Sequence, residues 1–148
     1  MPLLRAALSW NFVLATAICA SLLAQLIKVL LNLFIFHRFI AERMWGAGGM
    51  PSSHSATVCA MVVATGRYCG VNSPLFAIAA VLSIIVMYDA MGVRYETGEQ
   101  AKVLNRMFTE WMDQGFEQFQ LPHGKKLKEM VGHTPIEVVT GAALGIVL

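Results

Sequence analysis

Residues 48–55 read Gly-Gly-Met-Pro-Ser-Ser-His-Ser and lead directly into an apolar run that extends to about Gly66. Two glycines, a proline and capping serines predict that a helix begins here, with His54 in its first turn. Such a helix start directs free backbone N–H groups and the positive end of the helix dipole at an anion, and phosphate suits it well. His54 is then a candidate proton donor. The structural alternative is a capped helix that carries a surface histidine.

The composition of the whole chain indicates a membrane protein. Hydrophobic residues make up 57% of the 148 residues, charged residues only 14%, and the mean hydropathy is +0.62. Soluble domains are roughly 45–50% apolar and about 25% charged. The net charge of +2 is too small to indicate a nucleic-acid partner. We expect a single membrane domain over residues 1–148.

Four apolar runs predict an all-α, polytopic membrane helix bundle with about four spans. The runs cover Ala6 to Ile27 with a continuation to Phe36, Ser55 to Gly70, Leu75 to Met91, and the chain from Ile136 to Leu148. The last run is shorter than the roughly 20 residues that cross a bilayer. We therefore expect this span either to stop partway or to continue beyond Leu148.

Residues 96–131, between the third and fourth runs, form a polar segment of a different kind. Their apolar residues recur at helical spacing among mixed charges, which predicts an amphipathic helix that lies on the membrane surface or packs under the spans. The stretch from Gln120 to Gly124 breaks this pattern, and Lys125 to Glu129 is predicted to restart the helix.

Counting membrane crossings places most of the polar groups on one side of the bundle. That side holds Lys28, Arg38, Arg43, His54, Asp89, Arg94, His133 and Glu137. Of the 11 lysines and arginines, only Arg5 and Arg67 fall on the other side. By the positive-inside rule, the shared side is the cytoplasmic side or its equivalent.

Lys28 interrupts the first apolar run, and two explanations stay open. An ionisable group inside a span is costly and usually functional. Alternatively, the helix leaves the membrane near Lys28, whose ammonium group then reaches the interface.

A second histidine precedes the last apolar run. Thr134-Pro135-Ile136-Glu137 is a capping box with proline in the first helical position. Glu137 can accept a hydrogen bond from one nitrogen of His133 and leave the other nitrogen free as a nucleophile or base. The alternative role of Glu137 is the reciprocal cap alone. Two such helix starts, with Lys28, Arg94 and either Arg38 or Arg43, would surround a phosphate.

Three segments carry a resemblance to a known superfamily. GGMPSSHSA, VMYDAMGVRYETGEQA and LKEMVGHTPIEVVTGAALG resemble the divergent branch of the type 2 phosphatidic acid phosphatase and vanadium haloperoxidase superfamily. The similarity runs from about Gln25 to Leu148. It implies a nucleophilic His133, with Glu137 in place of an orienting aspartate, and a leaving-group proton donor at His54. It also implies phosphate binding by Lys28, Ser52 and Ser53.

The chain departs from the superfamily motifs at several positions. Ser53 stands where the superfamily has glycine, and no Arg-Pro follows Lys28, so its partner is either Arg38 or Arg43. Leu127 occupies the position of an expected arginine. Arg94, together with Asp89, is the candidate replacement for the missing guanidinium group. The weaker candidates are the lysines at positions 125, 126 and 128.

The function predicted from these features is metal-independent hydrolysis of a phosphoric monoester, a lipid or prenyl phosphate, through a histidine nucleophile and without a cofactor. The expected partners are membrane lipids and the phosphorylated substrate, and a homo-oligomer is compatible with the sequence. A second hypothesis is an inactive protein of the same fold that binds anionic lipids or assists membrane assembly. A third treats His54, Asp89, His133 and Glu137 as metal ligands, although Lys28 and Arg94 would repel a cation there.

Overall fold

A computed structural model describes residues 11–36, 49–114, 126–129 and 131–148 of the chain. Within these ranges the protein consists of five α helices and contains no strand, which confirms the expected all-α class. The helices are α1 (Phe12–Phe36), α2 (Ser53–Cys69), α3 (Pro74–Met91), α4 (Val93–Asp113) and α5 (Pro135–Val147).

Three helices begin where the local sequence predicts. Ser52 is the N-cap of α2, and its Oγ accepts a hydrogen bond from the Ser55 N–H at 3.4 Å. Ser73 caps α3 in the same way, with Pro74 in the first turn. Thr134 forms the capping box of α5. These starts depend on neighbouring residues only, so they are readable from the sequence.

Helix α2 is the centre of the bundle and packs against α1, α3 and α5. Helix α1 runs antiparallel to it, since the Lys28 side chain lies beside Gly49, just before α2. Helix α3 is also antiparallel, because Cys59 of α2 lies beside Ser83, whereas Gly66, later in α2, lies beside Phe76 at the start of α3. Helix α5 runs parallel to α2. The ends that carry the candidate residues therefore meet at one end of the bundle.

The contact between α2 and α5 depends on two glycines spaced four residues apart. A Cβ atom on Gly141 would collide with the Ser52 carbonyl oxygen, and one on Gly145 would collide with the Ala56 carbonyl oxygen. This is the small-xxx-small pattern by which membrane helices approach closely. The GxxxG spacing is visible in the sequence.

Small residues fill the interior, and large aliphatic residues face outward. The core cluster consists of Ala20, Ala24, Ala56 and Ala60, each with no exposed surface. Exposed leucines, isoleucines and valines cover α1, α3 and α5, as illustrated by Leu22 at 60% exposure and Ile78 at 64%. Such a distribution would be unfavourable in water and suits contact with lipid tails.

Two stretches are long and apolar enough to cross a membrane by length and composition: Phe12–Phe34 and a segment within Pro74–Asp113. Helix α5 is a shorter apolar helix of 13 residues. Helix α2 has 17 residues and is the most enclosed of the apolar helices.

The polar segment differs from its prediction in two ways. Its helix, α4, begins at Val93, three residues before the predicted start. The helix predicted to restart at Lys125 is not found over residues 126–129, the described part of that stretch. The physical reason is the Asn105 side chain of α4. It hydrogen bonds to both the N–H and the C=O of Leu127, and this two-point contact holds residues 126–129 against α4 in a non-helical conformation.

Candidate functional site

The first element of the site is the pair formed by His133 and Glu137. His133 Nδ1 lies 3.1 Å from Glu137 Oε2, across one turn of α5. The same carboxylate oxygen accepts the Thr134 N–H at 3.0 Å and completes the capping box. The two roles considered for Glu137 are therefore not alternatives. One carboxylate closes the helix start and also orients the imidazole ring.

The other nitrogen of His133 is buried and unsatisfied. The residue is 2% exposed, and Nε2 has no hydrogen-bond partner among the described residues. A carboxylate beside Nδ1 assigns the proton to Nδ1, so Nε2 presents its lone pair. Unpartnered buried nitrogens are uncommon in folded proteins, and a catalytic role is one of the explanations for such an atom.

His54 lies next to His133 and faces outward. The two ring centroids are 5.9 Å apart, and the ring planes meet at 63°. His54 is exposed, whereas His133 is buried. Its imidazole lies within electrostatic reach of His133, Arg94, Lys28 and Asp89. Groups from α1, α2, α3, α4 and the start of α5 therefore converge around this ring.

Lys28 forms the inner wall of the site. Helix α1 continues unbroken through this residue, which is only 6% exposed. Its methylene groups lie 3.4–3.6 Å from the position of a Cβ atom on Gly49, and its charge interacts with Glu137. The structure therefore favours the buried lysine over one that reaches the interface. No hydrogen bond or ion pair joins its ammonium group to another described residue.

The backbone ties the two helix starts together at this site. The Ser52 N–H donates to the Glu137 carbonyl oxygen at 2.9 Å. The Ser52 hydroxyl is completely buried and accepts hydrogen bonds from the N–H and Oγ of Ser55. Ser53 is 9% exposed in the first turn of α2. In this conformation Ser52 acts as a helix cap, and its predicted contact with phosphate stays a prediction.

Asp89 and Arg94 form an ion pair at the junction of α3 and α4. Arg94 Nε lies 2.5 Å from Asp89 Oδ2, with side chains 52% and 38% exposed, respectively. Between them, the Ala90 carbonyl oxygen accepts the His133 N–H at 2.9 Å. The histidine segment is thus held to the residue that follows Asp89, and the exposed ion pair lies at the outer rim of the site.

The remaining predicted residues are not part of the described cluster. Arg38, Arg43 and Lys125 lie outside the described residues. Leu127 is held by Asn105 through its backbone. Across residues 11–36, 49–114, 126–129 and 131–148, the His, Cys, Asp and Glu side chains form no group of three or more that could hold a metal ion.

The expected convergence of polar groups at one end of the bundle is present in the structure. Lys28, His54, Asp89, His133 and Glu137 meet there, and Arg67 lies in the last turn of α2 at the opposite end. Asn105 and the Ala90 carbonyl were missed at the sequence level, since neither carries a recognisable motif.

Comparison with known proteins agrees with this architecture. Residues 9–148 match the model of a family described as the Divergent PAP2 family. The chain is also 39% identical over 144 residues to the uncharacterized membrane protein YuiD of Bacillus subtilis (strain 168). That similarity covers 93% of this chain and 91% of the relative. No solved structure matches the chain. The resemblance seen in its three motifs is confirmed: the protein is a membrane protein and belongs to the Divergent PAP2 family.

Proposed function

We propose that the protein is a membrane-embedded phosphatase that hydrolyses a lipid or prenyl phosphate through His133. The observation that carries this proposal is the state of the His133 ring. Its Nδ1 is held by Glu137, while its buried Nε2 has no described partner and the ring lies beside His54. An oriented imidazole with one free nitrogen is the arrangement required of a histidine nucleophile.

The chemistry proceeds in two displacements at phosphorus. In the first, the Nε2 lone pair of His133 forms a P–N bond while the P–O bond to the alcohol breaks. A protonated His54 gives its proton to the departing oxygen, which leaves as the alcohol. In the second, neutral His54 takes a proton from water as the water oxygen attacks phosphorus. The P–N bond then breaks, and inorganic phosphate leaves with His133 restored.

The groups around the two rings can stabilise the phosphate. Lys28 supplies a buried positive charge without a described ion-pair partner. The N-terminal ends of α2 and α5 add backbone dipoles aimed at the same region. Arg94 contributes a guanidinium group at the rim, where Asp89 orients it through Nε. Ser53 and either Arg38 or Arg43 complete the proposed phosphate-binding set.

The position of the site suggests the substrate and the side from which it arrives. The cluster lies at one end of a bundle whose outer surface is covered with exposed aliphatic residues. A substrate anchored in the bilayer can therefore present its phosphate at this end and keep its tail in lipid. The excess of lysine and arginine on this side suggests that it is the cytoplasmic side or its equivalent.

A substrate screen tests the proposal. Purified protein in lipid nanodiscs is incubated with phosphatidic acid, a prenyl monophosphate or a water-soluble phosphomonoester, and inorganic phosphate is measured. We expect release from at least one lipid or prenyl substrate and inhibition by vanadate, which mimics the phosphorane geometry. Absence of release from every substrate would contradict the enzymatic proposal.

A second candidate function is anionic-lipid binding without turnover. Two observations favour it: Leu127 replaces the expected arginine, and Arg94 is already paired with Asp89. A binding protein would retain vanadate at the site but release no phosphate from any substrate in the screen. The same experiment therefore separates the two functions.

Lys28 provides a test of anion binding that does not depend on turnover. We expect Lys28→Met to weaken vanadate binding by about ten- to a hundredfold, because a charged hydrogen bond contributes ~1.5–3 kcal/mol. Isothermal titration calorimetry in detergent measures the affinity. Lys102→Met is the matched control, since Lys102 is exposed and paired with Glu99 on α4. Equal vanadate affinity in Lys28→Met and the wild type would exclude Lys28 from the phosphate site.

A further inference from the structure

Asn105 makes an unusually complete set of hydrogen bonds for a side chain on a polar helix. The residue is 4% exposed. Its Nδ2 donates to the Leu127 carbonyl oxygen at 2.9 Å and to Glu129 Oε1 at 2.7 Å. Its Oδ1 accepts the Leu127 N–H at 2.8 Å. The amide thus pairs with both backbone groups of Leu127 and takes the place of a local helical partner.

The residues between Leu127 and His133 also contact α4. Glu129 and Val131 lie against Gly98, and Gly132 lies against Tyr95 in the first turn of α4. A Cβ atom on Gly98 would lie 2.6 Å from the Glu129 carbonyl oxygen and 2.9 Å from that of Val131. Gly132 has a φ of +87° and packs against the Tyr95 backbone nitrogen. Only glycine adopts this φ readily while allowing such close backbone approach. The His133 N–H then donates to the Ala90 carbonyl oxygen.

We propose that Asn105 is a positioning residue for His133 and acts through the segment formed by residues 127–129 and 131–132, which leads to His133. Its amide sets where this segment begins on α4, and Gly98 and Gly132 keep the segment against the helix. His133 consequently enters the site with Nε2 buried and its ring beside His54. The consequence for catalysis depends on the function proposed above, but the effect on the conformation of His133 does not.

Chemical modification of the two histidines tests the conformational effect directly. Diethyl pyrocarbonate acylates accessible, unprotonated imidazole nitrogens, and peptide mass spectrometry gives a separate rate for His133 and His54. In Asn105→Ala, Leu127 loses both backbone partners, so local opening becomes easier. We expect acylation of His133 to become about tenfold faster or more, with that of His54 unchanged within about twofold.

Controls distinguish a local effect from a loss of fold. Asn72→Ala removes an exposed asparagine in the turn before α3 and should leave both acylation rates unchanged. Gly98→Ala should raise the rate at His133, because its Cβ would displace the Glu129 carbonyl. An unchanged His133 rate in Asn105→Ala, or equal acceleration at both histidines, would overturn the proposal.

A rescue experiment moves the carboxylate from position 129 to position 105 and places an amide at position 129. Asn105→Asp keeps the acceptor for the Leu127 N–H but places two carboxylates together, so His133 acylation should accelerate. Adding Glu129→Gln to that variant restores a donor opposite the introduced carboxylate. The rate should then return at least halfway to the wild-type value on a logarithmic scale. The Leu127 carbonyl oxygen still lacks its donor in the double variant, so recovery stays partial. Absence of any recovery would show that the contact between residues 105 and 129 does not control His133.

Turnover gives an additional measurement wherever the substrate screen finds activity. A positioning role predicts that Asn105→Ala lowers kcat by about tenfold while KM changes less than about twofold. A rise in KM with unchanged kcat would instead assign Asn105 to substrate binding and contradict the positioning role.

Discussion

Replacing His133 by alanine is expected to lower kcat for phosphate release by about a thousandfold or more, since removing a nucleophile eliminates the covalent route. The substitution removes the Nε2 atom that the structure leaves buried without a described partner. Phosphate release is measured with the substrate identified in the screen. Rapid quenching should also trap acid-labile phosphate on a His133 peptide of the wild type, and none on the variant.

Glu137→Gln is expected to have a smaller effect than His133→Ala, because it leaves the nucleophile in place. Glutamine can still serve in a capping box, so α5 should begin at the same residue. The neutral amide orients the imidazole ring and stabilises its positive charge less well, and we expect kcat to fall by about ten- to a hundredfold. The melting temperature of each variant measures whether the fold persists. A His133→Ala protein with the wild-type rate would contradict the mechanism.

Replacing Gly141 by valine is expected to have the largest effect on the fold. Even a Cβ atom at this position would collide with the Ser52 carbonyl oxygen. The collision involves backbone atoms, so α2 and α5 must move apart, and overpacking of this kind costs about 1–3 kcal/mol. The same movement separates the two helix starts of the site. We expect a lower melting temperature in detergent together with loss of vanadate binding.

Ala143→Val is the matched control on the exposed face of α5. It adds a β-branched side chain to the same helix without approaching Ser52, so its melting temperature should stay close to that of the wild type. Similar destabilisation by Gly141→Val and Ala143→Val would indicate that valine weakens α5 itself. That result would contradict the assigned role of the α2–α5 contact.

Much of the candidate site could be predicted because its elements are local. Ser52, Ser73 and Thr134 cap their helices through atoms three residues away, and the interaction between His133 and Glu137 spans one turn. The alternation of crossings then places the polar groups at one end without any knowledge of packing. The family motifs assigned different roles to the two histidines, and those roles remain proposals.

Other features could not be predicted because they depend on contacts distant in the chain. The helix expected from Lys125 is not found over residues 126–129, where Asn105 hydrogen bonds to the backbone N–H and C=O of Leu127. These two residues are 22 positions apart in the sequence. Local propensity contains no term for such a contact. Likewise, the sequence left Lys28 either buried or at the interface, and the packing beside Gly49 favours the buried position.

The sequence by itself determined the membrane character, the starts of α2, α3 and α5, and the chemical identity of the cluster, since hydropathy and capping are properties of short stretches. Only the tertiary structure decided that His133 Nε2 is buried without a described partner and that Arg94 is paired with Asp89. It also showed that Gly141 and Gly145 bring α2 and α5 into backbone contact. These properties depend on distances between atoms of different helices. Such distances are defined only when the whole bundle has assembled.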